Sequence, residues 1–96
     1  MKSLEKRNPY KLQETVYMTA GIKRHLLKCS EEIQNALRQF RNGDMGKSSD
    51  KPENPLINDF GSYEVTFGTL WIINYGLFSG RDFITLLLPE EYGQNY

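Results

Sequence analysis

Three β-prone runs in close succession constrain this chain more than any other feature of it. They are Ser62-Tyr63-Glu64-Val65-Thr66-Phe67, Leu70-Trp71-Ile72-Ile73-Asn74-Tyr75 and Asp82-Phe83-Ile84-Thr85-Leu86-Leu87-Leu88. Gly68-Thr69 separates the first two, and Gly76-Leu77-Phe78-Ser79-Gly80-Arg81 the last two. β-branched and aromatic runs bounded by glycine predict an antiparallel meander. Alternation puts Trp71, Ile73 and Tyr75 on one face of the middle strand, and Leu70, Ile72 and Asn74 on the other. The last run does the same, with Phe83, Thr85 and Leu87 opposite Ile84, Leu86 and Leu88. Apolar residues on both faces mean a sheet covered on both sides. One helix covers one side. The sequence therefore predicts either that the N-terminal segment wraps the second face or that a partner does, self-association included.

The covering helix is predicted over Glu31–Asn42. Ser30 is a suitable N-cap, and Glu31 and Glu32 suit the positive end of the helix dipole. Arg38 and Arg41 suit the negative end, and Gly43 follows as the C′ residue. Ile33, Ala36, Leu37 and Phe40 form one apolar stripe. Upstream, Thr15-Val16-Tyr17-Met18-Thr19 alternates as a first strand, and Ile22, Leu26 and Cys29 have the spacing of a short helical segment over 21–28. Residues 1–13 read as a polar arm, and 43–57 as an exposed mobile loop, long for a compact domain. Residues 14–96 then form one α+β domain: a small antiparallel sheet of three to four strands with one main helix on one face.

Composition excludes more than it assigns. Ninety-six residues suffice for one small core, and 39% hydrophobic with 25% charged residues is ordinary for a globular domain. The apolar runs fall short of the roughly 20 residues a membrane helix needs. The charged start, Met1-Lys2-Ser3-Leu4-Glu5-Lys6-Arg7, does not resemble a secretory signal. Cys29 is the single cysteine, so no internal disulfide forms; these features lead us to expect a cytoplasmic protein. Net charge is zero but divided. Residues 1–50 carry ten Lys or Arg against six Asp or Glu, and residues 51–96 carry two against six.

No pattern on the chain specifies a catalyst. His25, the only histidine, sits among Lys23, Arg24 and Lys28 and reads as part of a solvated polar face. It has no partner at metal-ligand spacing. No Gly-x-Ser-x-Gly elbow is present. Gly76 to Arg81 joins two strands and opens no helix, so it is not a phosphate cradle. Pro89-Glu90-Glu91 reads as the start of a short helical turn, from which Tyr92 and Tyr96 pack back on the sheet. No cofactor is expected, and Cys29 reads as a structural thiol. The residues that remain as interaction candidates are the apolar anchors Trp71, Tyr75 and Phe83 and the cations Lys23, Arg24, Lys28 and Arg81.

A set of short motifs adds a resemblance. Val16-Tyr17-Met18-Thr19-Ala20-Gly21-Ile22 precedes a helix holding Ala36-Leu37-Arg38. Asn58-Asp59-Phe60-Gly61-Ser62-Tyr63-Glu64-Val65, the Trp71 strand and a terminal Glu90-Glu91-Tyr92 follow. This order resembles small uncharacterised bacterial families borne by plasmids and prophages. The strand–helix–three-strand order also resembles the RelE/ParE-like toxin fold. RNA-cleaving members of that fold use basic and acid/base residues on the late strands, where this chain has only Arg81. The resulting expectation is a non-enzymatic interaction protein of a mobile element, a regulator or inhibitor of a macromolecular partner, with an anti-defence role among the possibilities. A toxin-like protein or its degenerate relative is the alternative, and a nucleic-acid-binding regulator using the basic N-terminal half is another. A protein partner or self-association is favoured over nucleic acid, and no membrane is expected.

Overall fold

The computed structural model describes residues 14–78 and 81–93; for residues 14, 76–78, 81 and 82 it describes the backbone alone. The polar arm expected over 1–13, the turn residues Ser79 and Gly80, and Tyr96 lie outside the described residues. The fold is a four-stranded sheet with one helix packed on it. β1 (Glu14–Met18) leads into α1 (Ala20–Arg41), and β2 (Asp59–Val65), β3 (Gly68–Phe78) and β4 (Arg81–Leu87) follow. Two single 3₁₀ turns, Ser48–Asp50 and Pro89–Glu91, complete the chain.

The sheet order is β1-β4-β3-β2. β2, β3 and β4 are the expected antiparallel meander, but β1 joins β4 in parallel, so the sheet is mixed. The direction follows from α1. A helix that leaves a strand and packs back across the sheet delivers the chain to the end where that strand began, so the next strand runs the same way. β2 is thus parallel to β1. β4 lies two reversals later and is parallel to both.

α1 is longer than predicted. The segments expected at 21–28 and 31–42 form one helix, broken only at Cys29, whose φ of −123° and ψ of 23° are non-helical. Thr19, not Ser30, is its N-cap, with the hydroxyl accepting from Ile22 N–H at 3.4 Å. The reason is a stripe continuous across the kink: Ile22, Leu26, Ile33, Ala36, Leu37 and Phe40 all pack in one cluster. Tertiary burial of that stripe outweighs the local preference of Ser30 for a helix start. The predicted C-terminal signals are in place, with Asn42 as C-cap and Gly43 at φ +88°.

The β2–β3 turn sits two residues earlier than predicted. Thr66 and Phe67 form it, and Gly68 opens β3 opposite Val65 with φ +125°, which a glycine adopts without steric cost. Between β3 and β4 the strands continue to Phe78 and from Arg81, with a register shift between Asn74 and Leu77.

The two faces of the sheet carry separate cores. Under α1, Ile22, Ile33, Ala36 and Phe40 meet Tyr63, Leu70, Ile72, Ile84 and Leu86. On the second face Ile57, Phe60, Ile73 and Leu87 are buried, with Trp71, Tyr75 and Tyr92 packed on them. This face was expected to need the N-terminal segment or a partner. Instead Ile57, at the end of the 43–57 loop, and Tyr92, from the C-terminal turn, supply its cover. Asn54 Nδ2 donates to the Tyr92 hydroxyl at 2.9 Å and joins the two. The same loop shields the edge of β2: Ser62 N–H donates to the Met45 carbonyl and Lys47 N–H to the Ser62 carbonyl, at 3.0 and 2.9 Å. A Cβ on Gly46 would lie 2.1 Å from that Ser62 oxygen, so only glycine permits this approach.

Truncating the fully buried Ile33 to alanine is expected to cost about 2–5 kcal/mol, a large part of a small domain's stability. Leu37→Ala, at a half-buried position, is expected to cost less. Urea denaturation of the two variants orders the positions, and equal midpoints would show that the stripe is not graded as described.

Candidate docking surface

α1 is held in place by two carboxylates, Glu91 from beyond β4 at its start and its own Glu32 farther along. Glu91 lies just beyond β4, and its side chain accepts from Thr19 Oγ1 at 2.5 Å, Gly21 N–H at 2.9 Å and Leu88 N–H at 2.9 Å. A Cβ on Gly21 would fall 2.7 Å from Leu88 Cδ1 and 2.8 Å from Glu91 Oε2, so the contact requires glycine. Burial pushes the Glu91 carboxyl up, but the hydrogen bonds from Thr19, Leu88 and Gly21 and the nearby Arg24 charge outweigh it and hold the carboxyl below its ordinary value. Farther along, Glu32 accepts from Thr66 N–H at 3.1 Å and Thr66 Oγ1 at 2.8 Å, which fixes α1 to the β2–β3 turn.

His25 belongs to this second anchor. Its ring stacks on Phe67 with centroids 4.2 Å apart and planes 4° from parallel. It is half-buried, so the expected solvated histidine is instead a packing residue, because the flank of α1 that carries it lies against the turn. Cys29 is free and half-buried. Burial, then the Glu32 charge and its hydrogen bond, push the thiol up, against a weaker pull from Lys28. That is the reverse of what activates a thiolate. Tyr63, under the helix, is pushed up to about 12 by burial and by Asp44, and its hydroxyl donates to the Asp44 carbonyl at 2.6 Å.

The opposite flank of α1 is open. Between it and β1 runs a groove of about 690 Å³, with Val16, Met18 and Leu26 as its apolar lining and Lys23 as its charged residue. Tyr17, Thr19 and Ala20 complete it. Leu27, one turn beyond Lys23, is 97% exposed; Tyr17 is 55% and Val16 36% exposed. Among the described residues Leu56 is the other large apolar side chain so exposed, and it lies in the loop.

The sequence-derived candidates separate into two groups. Lys23, Arg24 and Lys28 are exposed on two successive turns of α1. Trp71, Tyr75 and Phe83 are half-buried on strands β3 and β4, with Trp71 edge-on to both Phe60 and Tyr92 at 5.0 and 6.0 Å. Trp71 and Tyr75 belong to the core of the second face. The buried Trp71 Nε1–H donates to none of the described residues. Arg81 opens β4, and its side chain lies outside the described part. Tyr17, Val16 and Leu27 were not singled out in the sequence; an apolar residue in a predicted strand or helix reads as core unless the tertiary packing shows otherwise. Among the described residues no three His, Cys, Asp or Glu side chains converge as a metal site would require, and no helix is long and apolar enough to cross a membrane.

No family model, curated protein or solved structure matches this chain.

Glu91→Gln is expected to destabilise the fold by about 1–3 kcal/mol, since an amide cannot receive all three donors. A depressed carboxyl contributes stability that is present above its unfolded-state value and lost as pH falls through the lower folded-state value. Wild-type stability should therefore decline below about pH 4.5 more steeply than that of the glutamine variant. Chemical denaturation across that range tests it, and parallel pH profiles would exclude Glu91 as the linked group.

Proposed function

We propose that this protein is a non-enzymatic interaction protein that docks on a macromolecular partner through the surface formed by β1 and the first half of α1. One observation carries the reading: Val16 is exposed beside the groove that Lys23 lines, Leu27 is exposed one turn farther along α1 and Tyr17 on the other side of β1, while the other described apolar side chains of the sheet are packed. Three exposed apolar residues on an unpaired edge strand and on the helix above it are the pattern of a contact surface. Among the described residues the groove is lined by one cation and no carboxylate, which sets the preference for a negatively charged partner. The motif resemblance to plasmid- and prophage-borne families supports a role as regulator or inhibitor of that partner, an anti-defence role included. A single free cysteine suits a reducing cytoplasm.

A second reading rests on Lys23, Arg24 and Lys28, which are exposed together on α1 and suit contact with phosphates.

Leu27→Asp should change stability by no more than about 0.5 kcal/mol at so exposed a site, yet abolish partner capture by the tagged protein. Retention of the same partner by this variant would remove the reading. Nucleic-acid binding that weakens steeply with salt, and flattens in the Lys23/Arg24/Lys28 triple alanine variant, would replace it with the second. RNA cleavage by the purified protein, lost on Arg81→Ala with the fold intact, would replace it with the toxin-like alternative.

A further inference from the structure

We infer that the β1 edge of the sheet accepts an extended acidic segment of a protein partner as a fifth strand; this rests on the docking reading above and names its mode and the partner's chemistry. The two edges of the sheet are treated differently. That of β2 is occupied by Met45–Lys47 through two backbone hydrogen bonds. That of β1 pairs with nothing among the described residues. The ladder shows which groups it presents. Thr19 N–H donates to the Leu86 carbonyl at 3.1 Å, so the residues in phase with Thr19, Tyr17 and Thr15, direct their N–H and C=O groups toward β4. Alternation then directs those of Val16 and Met18 outward. These are the groups that strand addition uses.

The surroundings choose the occupant. An added strand would lie along the groove, over Val16, Met18 and Leu26, with Lys23 above its outer side. Lys28, one turn farther along α1, extends the positive field, and among the described residues no carboxylate lines the groove. A second copy paired through β1 would bring a second Lys23 to the same place. Residues 1–13, with Lys2, Lys6, Arg7 and Lys11 against Glu5, carry the wrong sign as well. A segment alternating acidic and apolar residues satisfies the backbone, turns its carboxylates to the α1 side, toward Lys23, and turns its apolar side chains to the opposite side, where Tyr17 is exposed.

The test uses the full-length protein, the peptide Glu-Val-Glu-Ile-Glu-Val and its lysine counterpart Lys-Val-Lys-Ile-Lys-Val. Amide exchange followed by NMR should show Val16 and Met18 exchanging freely alone and protected with the acidic peptide, but not with the basic one. Lys23→Glu should weaken acidic-peptide binding about tenfold. Val16→Pro removes an outward N–H while leaving the groups that face β4, so it should abolish binding with Tyr17 still protected. Protection of Val16 and Met18 in the free monomer would overturn the inference, because the chain would cover its own edge. So would a concentration-dependent dimer broken by Val16→Pro, or equal binding of both peptides. A natural partner lost on Leu27→Asp but kept on Val16→Pro would overturn strand addition while leaving the docking surface in place. A partner indifferent to both would remove that surface too.

Discussion

The Glu91 carboxylate joins the two ends of this fold, and the geometry of the rest depends on it. It receives Thr19, Gly21 and Leu88 at one point, where β1 ends, α1 begins and β4 has just finished. A strand of five residues paired only with β4 among the described residues has little to hold it in register. The three hydrogen bonds set where β1 stops against β4, and they supply a negative charge to the first turn of a helix that has no acidic residue of its own there. The Thr-x-Gly and Glu-Glu-Tyr motifs, far apart in the chain, are therefore one structural unit. Thr19 donates and caps, Gly21 makes room, Glu91 accepts, and Tyr92 continues onto the second face.

From that point the two flanks of α1 diverge. His25 and Glu32 lie against the β2–β3 turn, through a ring stack on Phe67 and a carboxylate on Thr66. The other flank, with Lys23 and Leu27, overlooks β1 and touches no covering element among the described residues. A helix anchored at its start and along one side holds its open side still. A preorganised apolar and cationic surface loses less entropy on binding than a mobile one.

The loop between α1 and β2 decides which edge of the sheet is left. Met45–Lys47 occupy the β2 edge, and Ile57 then crosses to close the second core with Phe60, Ile73 and Leu87. In covering one edge and one face this segment does the work expected of the N-terminal segment or of a partner. The surface proposed for interaction is therefore not the aromatic face of β3, with Trp71 and Tyr75, but the β1 edge and the helix above it.

The sequence by itself determined the elements: the meander, the first strand, the C-terminal half of α1 with its caps, the turn at Pro89 and the stripe from Ile33 to Phe40. These follow from periodicities and end signals that act within a few residues. It also held, unread, the order that favours β1 parallel to β4, a crossover helix followed by two reversals. Tertiary structure decided what depends on contacts between distant segments. Local signals placed a helix start at Ser30, and continuous burial from Ile22 to Phe40 carried the helix through it. A polar loop gave no sign that Ile57 would close a core, and a lone histidine among cations gave none that it would stack on Phe67. The proposed docking surface was least legible, because Val16, Tyr17 and Leu27 are apolar residues in regular elements, the usual mark of a core. Only the packing shows which of them the core leaves out, because burial is a property of the neighbours a residue meets and not of the residue alone.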